Sequence, residues 1–310
     1  MKESVPWHII AGFGGHIKAT STTLVIRKKG VEEELPLSSV NHLLVVGGHN
    51  LHTSAVTHLL RNGSSISFFD PDGTPLSIMR PYGSYPDEEL RSRQMKSPGY
   101  KSACEIVKSS IMSRILMIEE ASAEMGRSIY YQGEDELLSK MLEDIEYLIK
   151  MDELRRIHRL SSDMYYEIIS RSINPAHGFR RRTERPHNDP VNSMLSLGYA
   201  MLFGNCSVSV VGAHLDTDIG ILSTGKRSLV QDLIDPLKAR MVDSVVFSVA
   251  REYLTSDHYE SGTKRCHLDD DIIKVLTNGI RNSIDQNIIE KNVSFYYDSI
   301  VSGSSLNISY

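Results

Sequence analysis

Two stretches hold residues whose types and spacing could do chemistry. Residues 179–199 read FRRRTERPHNDPVNSMLSLGY, with Arg180, Arg181, Arg182 and Arg185 crowded ahead of a proline-rich turn. Such a cluster could neutralise several phosphates at once. On composition alone, a solvated charged loop is the plainer reading. Asp189 can cap the free N–H groups of the apolar helix that follows, and Pro190 suits its first turn. The second stretch, residues 212–240, reads GAHLDTDIGILSTGKRSLVQDLIDPLKAR. Asp232 and Asp235 lie three apart on a helix and share a face. Two carboxylates so placed could bind a hard cation such as Mg²⁺ or Mn²⁺, or could be surface acids near a helix start. Lys226 and Arg227, just upstream, would suit a phosphate.

The elements that must position these residues form two groups. Up to residue 83 the chain is β-rich. Residues 23–28 (TLVIRK), 42–47 (HLLVVG) and 65–69 (SISFF) are short apolar runs bounded by turn residues. A short amphipathic helix is expected over Leu51–Leu60. Gly12-Phe13-Gly14-Gly15 has no helix opening behind it, so a nucleotide-binding loop is rejected in favour of a turn between early strands. Pro81, Pro86 and Pro98 with several charges mark a linker, taken as residues 84–99. From residue 100 the period is helical. One long helix carries Ile106, Ser110, Ile111, Arg114, Ile115 and Ile118, and a second carries Leu137 to Leu148. An apolar helix is expected over Val191–Leu202, and another over Leu229–Val249 interrupted by Pro236. The last sixty residues look helical and polar. The expected architecture is α+β: a small β-rich domain, residues 1–83, then a larger all-helical domain, residues 100–310.

Composition narrows the function classes. Hydrophobic residues are 40% and charged residues 24% of the 310 residues, a globular balance rather than a disordered one. Cys104, Cys206 and Cys266 are scattered and odd in number, which argues against a disulfide framework or a zinc knuckle. No apolar run of membrane-spanning length is read and Met-Lys-Glu-Ser does not open a signal peptide, so a cytoplasmic protein without a membrane partner is expected. With a net charge of -5, any nucleic-acid contact must come from local basic patches.

Taken together, the blocks resemble the CRISPR-associated spacer-acquisition integrase/endonuclease family. Residues 179–199 resemble its RRxRRPPxDPVNxxLSFGY pattern, and residues 220–238 its GFLHxxxxGRxSLxxDLxExFR pattern. AGFGGHIK, LPLSSVNHLLVVGGHN and ISFFDPDGTPL agree with its β-domain text in order. The resemblance covers roughly residues 8–250. It implies a β domain that pairs subunits into a homodimer and a helical domain that carries an Mg²⁺- or Mn²⁺-dependent site. It also implies a small ferredoxin-like partner subunit, and strand transfer with cleavage of double-stranded or branched DNA.

The family's site uses a glutamate, a histidine and an acid. The glutamate precedes a tyrosine by seven residues; here that position is His158, ahead of Tyr165. The histidine ends Gly-Phe-Leu-His; here Ser223 ends Gly-Ile-Leu-Ser. Asp235 holds the third position, with Asp232 retained three residues earlier. One carboxylate and one good ligand are therefore lost, and metal-dependent cleavage is expected to be weak or absent. The resemblance also gives Tyr165 and Tyr199 family positions and assigns Arg180, Arg181, Arg182, Arg185, Asn192, Lys226 and Arg227 to DNA. The alternatives are a rebuilt His158, Asp232 and Asp235 site, helped by His214, in an active nuclease or integrase, or a structural subunit that pairs with an active paralogue.

Overall fold

A computed structural model of the chain describes residues 5–96, 99–262 and 265–310; Met-Lys-Glu-Ser at the N-terminus and Pro98 of the expected linker lie outside these. The N-terminal domain is one six-stranded sheet. Its strands are β1 (Trp7–Ala19), β2 (Thr23–Lys28), β3 (Val31–Pro36), β4 (His42–Leu51), β5 (Ser65–Phe69) and β6 (Pro75–Met79), in spatial order β3-β2-β1-β4-β5-β6. β1 pairs β4 and β4 pairs β5 in parallel, while the outer pairs are antiparallel. Helix α1 (Thr53–Arg61) makes the crossover that parallel β4 and β5 require. The expected glycine turn is instead part of β1. Gly12 and Gly14 take positive φ, and the register against β4 shifts between Phe13 and His16. The glycines bend one long strand rather than end it.

β4 reads as a continuous apolar run because both its faces are covered. Leu43 and Val45 join Ala55 and Leu59 of α1 in one core, while Leu44 and Val46 face the helical domain with Trp7 and Phe69. The helical domain comprises α2 (Glu88–Lys96), α3 (Gly99–Glu124), α4 (Glu134–Asp144), α5 (Met151–Ser170), α6 (Pro190–Gly212), α7 (Ser228–Ile234), α8 (Ser244–Glu252), α9 (Asp270–Ser283) and α10 (Gln286–Ser302). The stretch expected as linker thus carries α2. A small hairpin, β7 (Tyr259–Ser261) with β8 (Cys266–Leu268), interrupts the otherwise helical C-terminal part.

α6 is long and apolar enough to cross a membrane by length and composition, contrary to the expectation of no such run. Its buried residues lie all round it because it is the core helix, packed by α7, α8, α9 and α10 and by the sheet. The turn after β5 docks on it so closely that a Cβ at Gly204 would sit 1.9 Å from the Asp72 carbonyl oxygen. Past α7, Pro236 has no N–H to donate, and the rod continues as a 3₁₀ turn (Asp235–Leu237) and a π turn (Ala239–Asp243) before α8.

Candidate functional site

The two singled-out stretches meet around Tyr199 of α6. The Arg182 guanidinium carbon lies 5.4 Å from the Tyr199 ring centre, and the Lys238 ammonium lies 5.3 Å from the same ring. One tyrosine therefore separates the arginine loop from the Asp235 cluster.

Asp189 and Asn192 build the arginine loop. Asp189 caps α6, accepting the Asn192 N–H at 2.8 Å. Asn192 is fully buried and its amide is fully used. Its oxygen accepts from Arg182 Nη1 (2.7 Å) and the Thr183 N–H (3.1 Å). Its nitrogen donates to the Arg181 carbonyl (2.9 Å) and to Asp189 Oδ2 (2.8 Å). Arg182 also donates to Ser196 Oγ at 2.6 Å, and His187 lies 2.6 Å from the same hydroxyl. Arg182 and Asn192 thus shape the loop, while Arg180, Arg181 and Arg185 are exposed on it. Lys226 is exposed on a separate loop. Arg227 faces the Phe203 ring at 5.8 Å, next to the turn docked on Gly204.

Asp235 is 6% exposed and gathers an arginine, a histidine and a lysine. Arg114 of α3 donates to Oδ2 at 2.9 Å, His158 Nε2 of α5 lies 2.7 Å from the same oxygen, and Lys238 donates to Oδ1 at 2.8 Å. Burial pushes the Asp235 carboxyl up, but Arg114, Lys238 and His158 hold it well below the usual carboxylate range. Asp232 does different work. Its carboxylate accepts the backbone N–H groups of Ile221 (2.6 Å), Leu222 (2.8 Å) and Ser223 (3.1 Å), so it caps the Gly-Ile-Leu-Ser loop from within. Gly220 opens that loop where only glycine fits: a Cβ would lie 2.4 Å from the Ser223 carbonyl oxygen. Arg155, one turn before His158, donates to the Leu222 carbonyl at 2.8 Å and pins the loop to α5.

The structure therefore brings His158 and Asp235 into contact and sets the Ser223 loop against the same helix. His214 instead stacks on His42 of β4, ring centres 4.4 Å apart, in the seam between the two domains. Among the described residues, no group of three or more His, Cys, Asp and Glu side chains could hold a metal ion.

A third buried carboxylate, Asp243, escaped the sequence reading. It accepts from Tyr165 at 2.8 Å and Tyr199 at 2.5 Å, and Tyr166 meets Tyr199 hydroxyl to hydroxyl at 2.6 Å. Burial pushes its carboxyl up to about 6 against the pull of the two hydroxyls, Arg114 and Lys238. Burial raises the Tyr165 and Tyr199 hydroxyls well above their ordinary value, so neither is poised as a nucleophile. Arg114 was visible as a charge on the apolar stripe of α3. That placement is itself a signal, because a buried guanidinium needs an anion opposite.

A family model described as CRISPR associated protein Cas1 matches residues 8–282. A putative CRISPR-associated endonuclease Cas1 2 from Methanospirillum hungatei JF-1 is 37% identical over 292 residues, covering 94% of this chain and 96% of that relative. Among solved structures, a casposase bound to an integration product matches with a TM-score of 0.82 at 16% identity, covering 97% of this chain and 96% of the other. A partial Cas6-RT-Cas1–Cas2 complex matches at 0.79 and 17% identity, with 97% of each chain covered. A TtCas1–DNA complex matches at 0.62 and 15% identity, over 94% of this chain and 96% of the other. These likenesses agree with a β domain followed by a helical domain.

Proposed function

Starting from the chain's membership of the CRISPR-associated Cas1 family, we propose that it is a DNA-binding homologue in which metal-dependent cleavage and strand transfer are weak or lost. The observation that carries this reading is the environment of Asp235. Both its oxygens are engaged by Arg114, His158 and Lys238, and Asp232 is committed to three backbone N–H groups. A divalent ion needs several oxygen ligands with surplus negative charge. These residues offer one carboxylate facing two fixed cations, so they do not fit Mg²⁺ or Mn²⁺, and no catalytic step is derived through a metal.

DNA binding needs no metal, because phosphate contacts come from cations and N–H groups. We assign that role to Arg180, Arg181 and Arg185, with Arg182 and Asn192 holding the loop in shape. Lys226 and Arg227 belong to a separate basic surface beside the docked β-domain turn. Homodimerisation through the β domain, and association with a small partner subunit or an active paralogue, are the accompanying proposals. The solved neighbours with DNA, with an integration product and with Cas2 motivate them.

The test incubates purified protein with branched DNA in Mg²⁺ or Mn²⁺, with Asp235→Ala as control. The expected result is a shifted complex with no cut or joined product. Products that vanish in Asp235→Ala would establish a rebuilt active site and sink the reading. Replacing Arg180, Arg181 and Arg185 together by alanine should weaken binding and flatten its salt dependence, by about 0.9 in the log–log slope for each phosphate no longer neutralised.

A further inference from the structure

A groove between α3 and the end of α4 lies outside the site described above. Lys108 and Met112 of α3 form one wall. Leu142, Glu143, Glu146 and Tyr147, from α4 and the 3₁₀ turn after it (Ile145–Tyr147), form the other, around a volume of about 400 Å³. Lone exposed apolar side chains are ordinary, whereas contiguous ones are not. Met112 and Leu116, one turn apart on α3, are 37% and 43% exposed, and Tyr147 on the facing wall is 82% exposed. Half-buried Leu142 joins them. The rim is acidic. Residues 134–150 carry six acids against two lysines, Lys140 and Lys150. Glu146 is paired with Lys108 at 3.0 Å and Glu134 with Arg171, which leaves four. Exposed Glu119 and Glu120 of α3 add to them. Burial, then the negative charges of Glu119, Asp135 and Glu134, push the Tyr130 hydroxyl up to about 12, which places these acids together at the far end of the groove. Lys101, two turns before Lys108, stands outside the lining.

We propose that this groove docks a basic amphipathic helix of a protein partner, whose apolar face seats between Met112 and Leu142 and whose lysines or arginines meet Glu143 and Glu119. The 11 residues of α4 span about 16 Å at about 1.5 Å each, room for about three turns of a partner helix. Such a helix reads a groove through apolar anchors at i, i+3, i+4 and i+7. Covering Met112, Leu116 and Tyr147 removes apolar surface from water, and the acidic rim selects the charge of the partner. The same rim repels DNA, so this face and the arginine loop divide the chain's partners between them by charge.

The test measures binding of a fluorescein-labelled peptide to the full chain by anisotropy. The peptide has about 14 residues, with leucine at the helical anchor spacing and lysine elsewhere. It should bind, and controls in which alanine replaces every leucine, or glutamate every lysine, should bind at least roughly tenfold more weakly. Met112→Gln and Glu143→Lys, both at exposed positions, should each weaken the leucine–lysine peptide roughly tenfold, with thermal unfolding unchanged. Met112→Gln should leave affinity for branched DNA as it is in the unaltered protein. No binding of the leucine–lysine peptide, equal binding of either control, or indifference to both substitutions would overturn the docking site. A loss of DNA affinity in Met112→Gln would overturn it by making the groove a DNA surface. A self-association of the chain that Met112→Gln abolishes would overturn it by seating a second copy there.

Discussion

Asp235 and Asp243 sit eight residues apart on one bent rod, both buried, with opposite electrostatics. Asp235 opens a 3₁₀ turn and faces Arg114, His158 and Lys238. Asp243 closes the π turn and faces the hydroxyls of Tyr165 and Tyr199. Desolvation raises both carboxyls, so the partners decide the outcome. Cations in direct contact overcome it at Asp235, whereas at Asp243 two hydroxyl donors and the charges of the same Arg114 and Lys238, which make no hydrogen bond to it, do not, and its carboxyl stays near 6. Depth alone therefore does not set a buried acid's charge state. The same contrast bears on metal binding. A carboxylate already neutralised by the chain's own cations has little charge left for an ion, and one shared between tyrosines is partly protonated near neutrality.

The largest effect that would test the contrast is at Asp235. Asp235→Asn leaves the buried Arg114 without its anion, and stability should fall by about 3–5 kcal/mol. Arg114→Met placed on top of Asp235→Asn should recover part of that loss, since it removes the stranded charge. Denaturant unfolding of the unaltered protein and both variants checks this. A loss under about 1 kcal/mol for Asp235→Asn would mean the pair is hydrated and behaves like a surface ion pair.

The second effect is a pH dependence. Asp243 has a folded value of about 6, above its ordinary 3.8, so the folded state holds the proton more tightly. Its contribution to stability is fully present below the unfolded value and is lost as pH rises through the folded one. Across that window the loss amounts to about 3 kcal/mol, from about 1.4 kcal/mol per unit. Asp235 carries the opposite sign, because its folded value is depressed and its contribution is lost only as pH falls. The difference in unfolding free energy between the unaltered protein and Asp243→Asn, measured from pH 4 to pH 7, isolates the Asp243 contribution. The unaltered protein should lose ground to Asp243→Asn as pH rises. A flat difference would show that the hydroxyls and Arg114 keep Asp243 ionised throughout.

Much of the frame that holds these two acids was legible. The runs at 23–28, 42–47 and 65–69 became strands β2, β4 and β5, and Asp189-Pro190 opened α6 as capping chemistry requires. Pro236 interrupted the following helix where its missing N–H predicts. β3 was not legible because Val31–Pro36, VEEELP, is an exposed acidic edge without apolar alternation. β1 hid behind its glycines, which look like a turn when read locally and act as a bulge once β4 pairs with them. At the site, spacing led to Asp232 and Asp235 and the family resemblance to His158, but neither led to what surrounds them. Arg114 lies 121 positions before Asp235, and no local pattern links residues so far apart. The family resemblance assigned Asn192 to DNA. Its burial, and the four hydrogen bonds its amide makes, are tertiary facts.

The smallest effect concerns Tyr199, which belongs to both clusters. Its hydroxyl serves Asp243 and Tyr166, while its ring lies between Lys238 and Arg182. Tyr199→Phe removes the hydroxyl and keeps the ring, so it should cost only about 1 kcal/mol near pH 5. It also deprives the Asp243 anion of a donor, so the pH at which Asp243 titrates should rise. The pH series on Tyr199→Phe therefore shows whether hydroxyl donation restrains desolvation at Asp243. An unmoved titration would assign that restraint to the charges of Arg114 and Lys238, and the two carboxylates would then differ in their distance from one pair of cations rather than in the kind of partner they have.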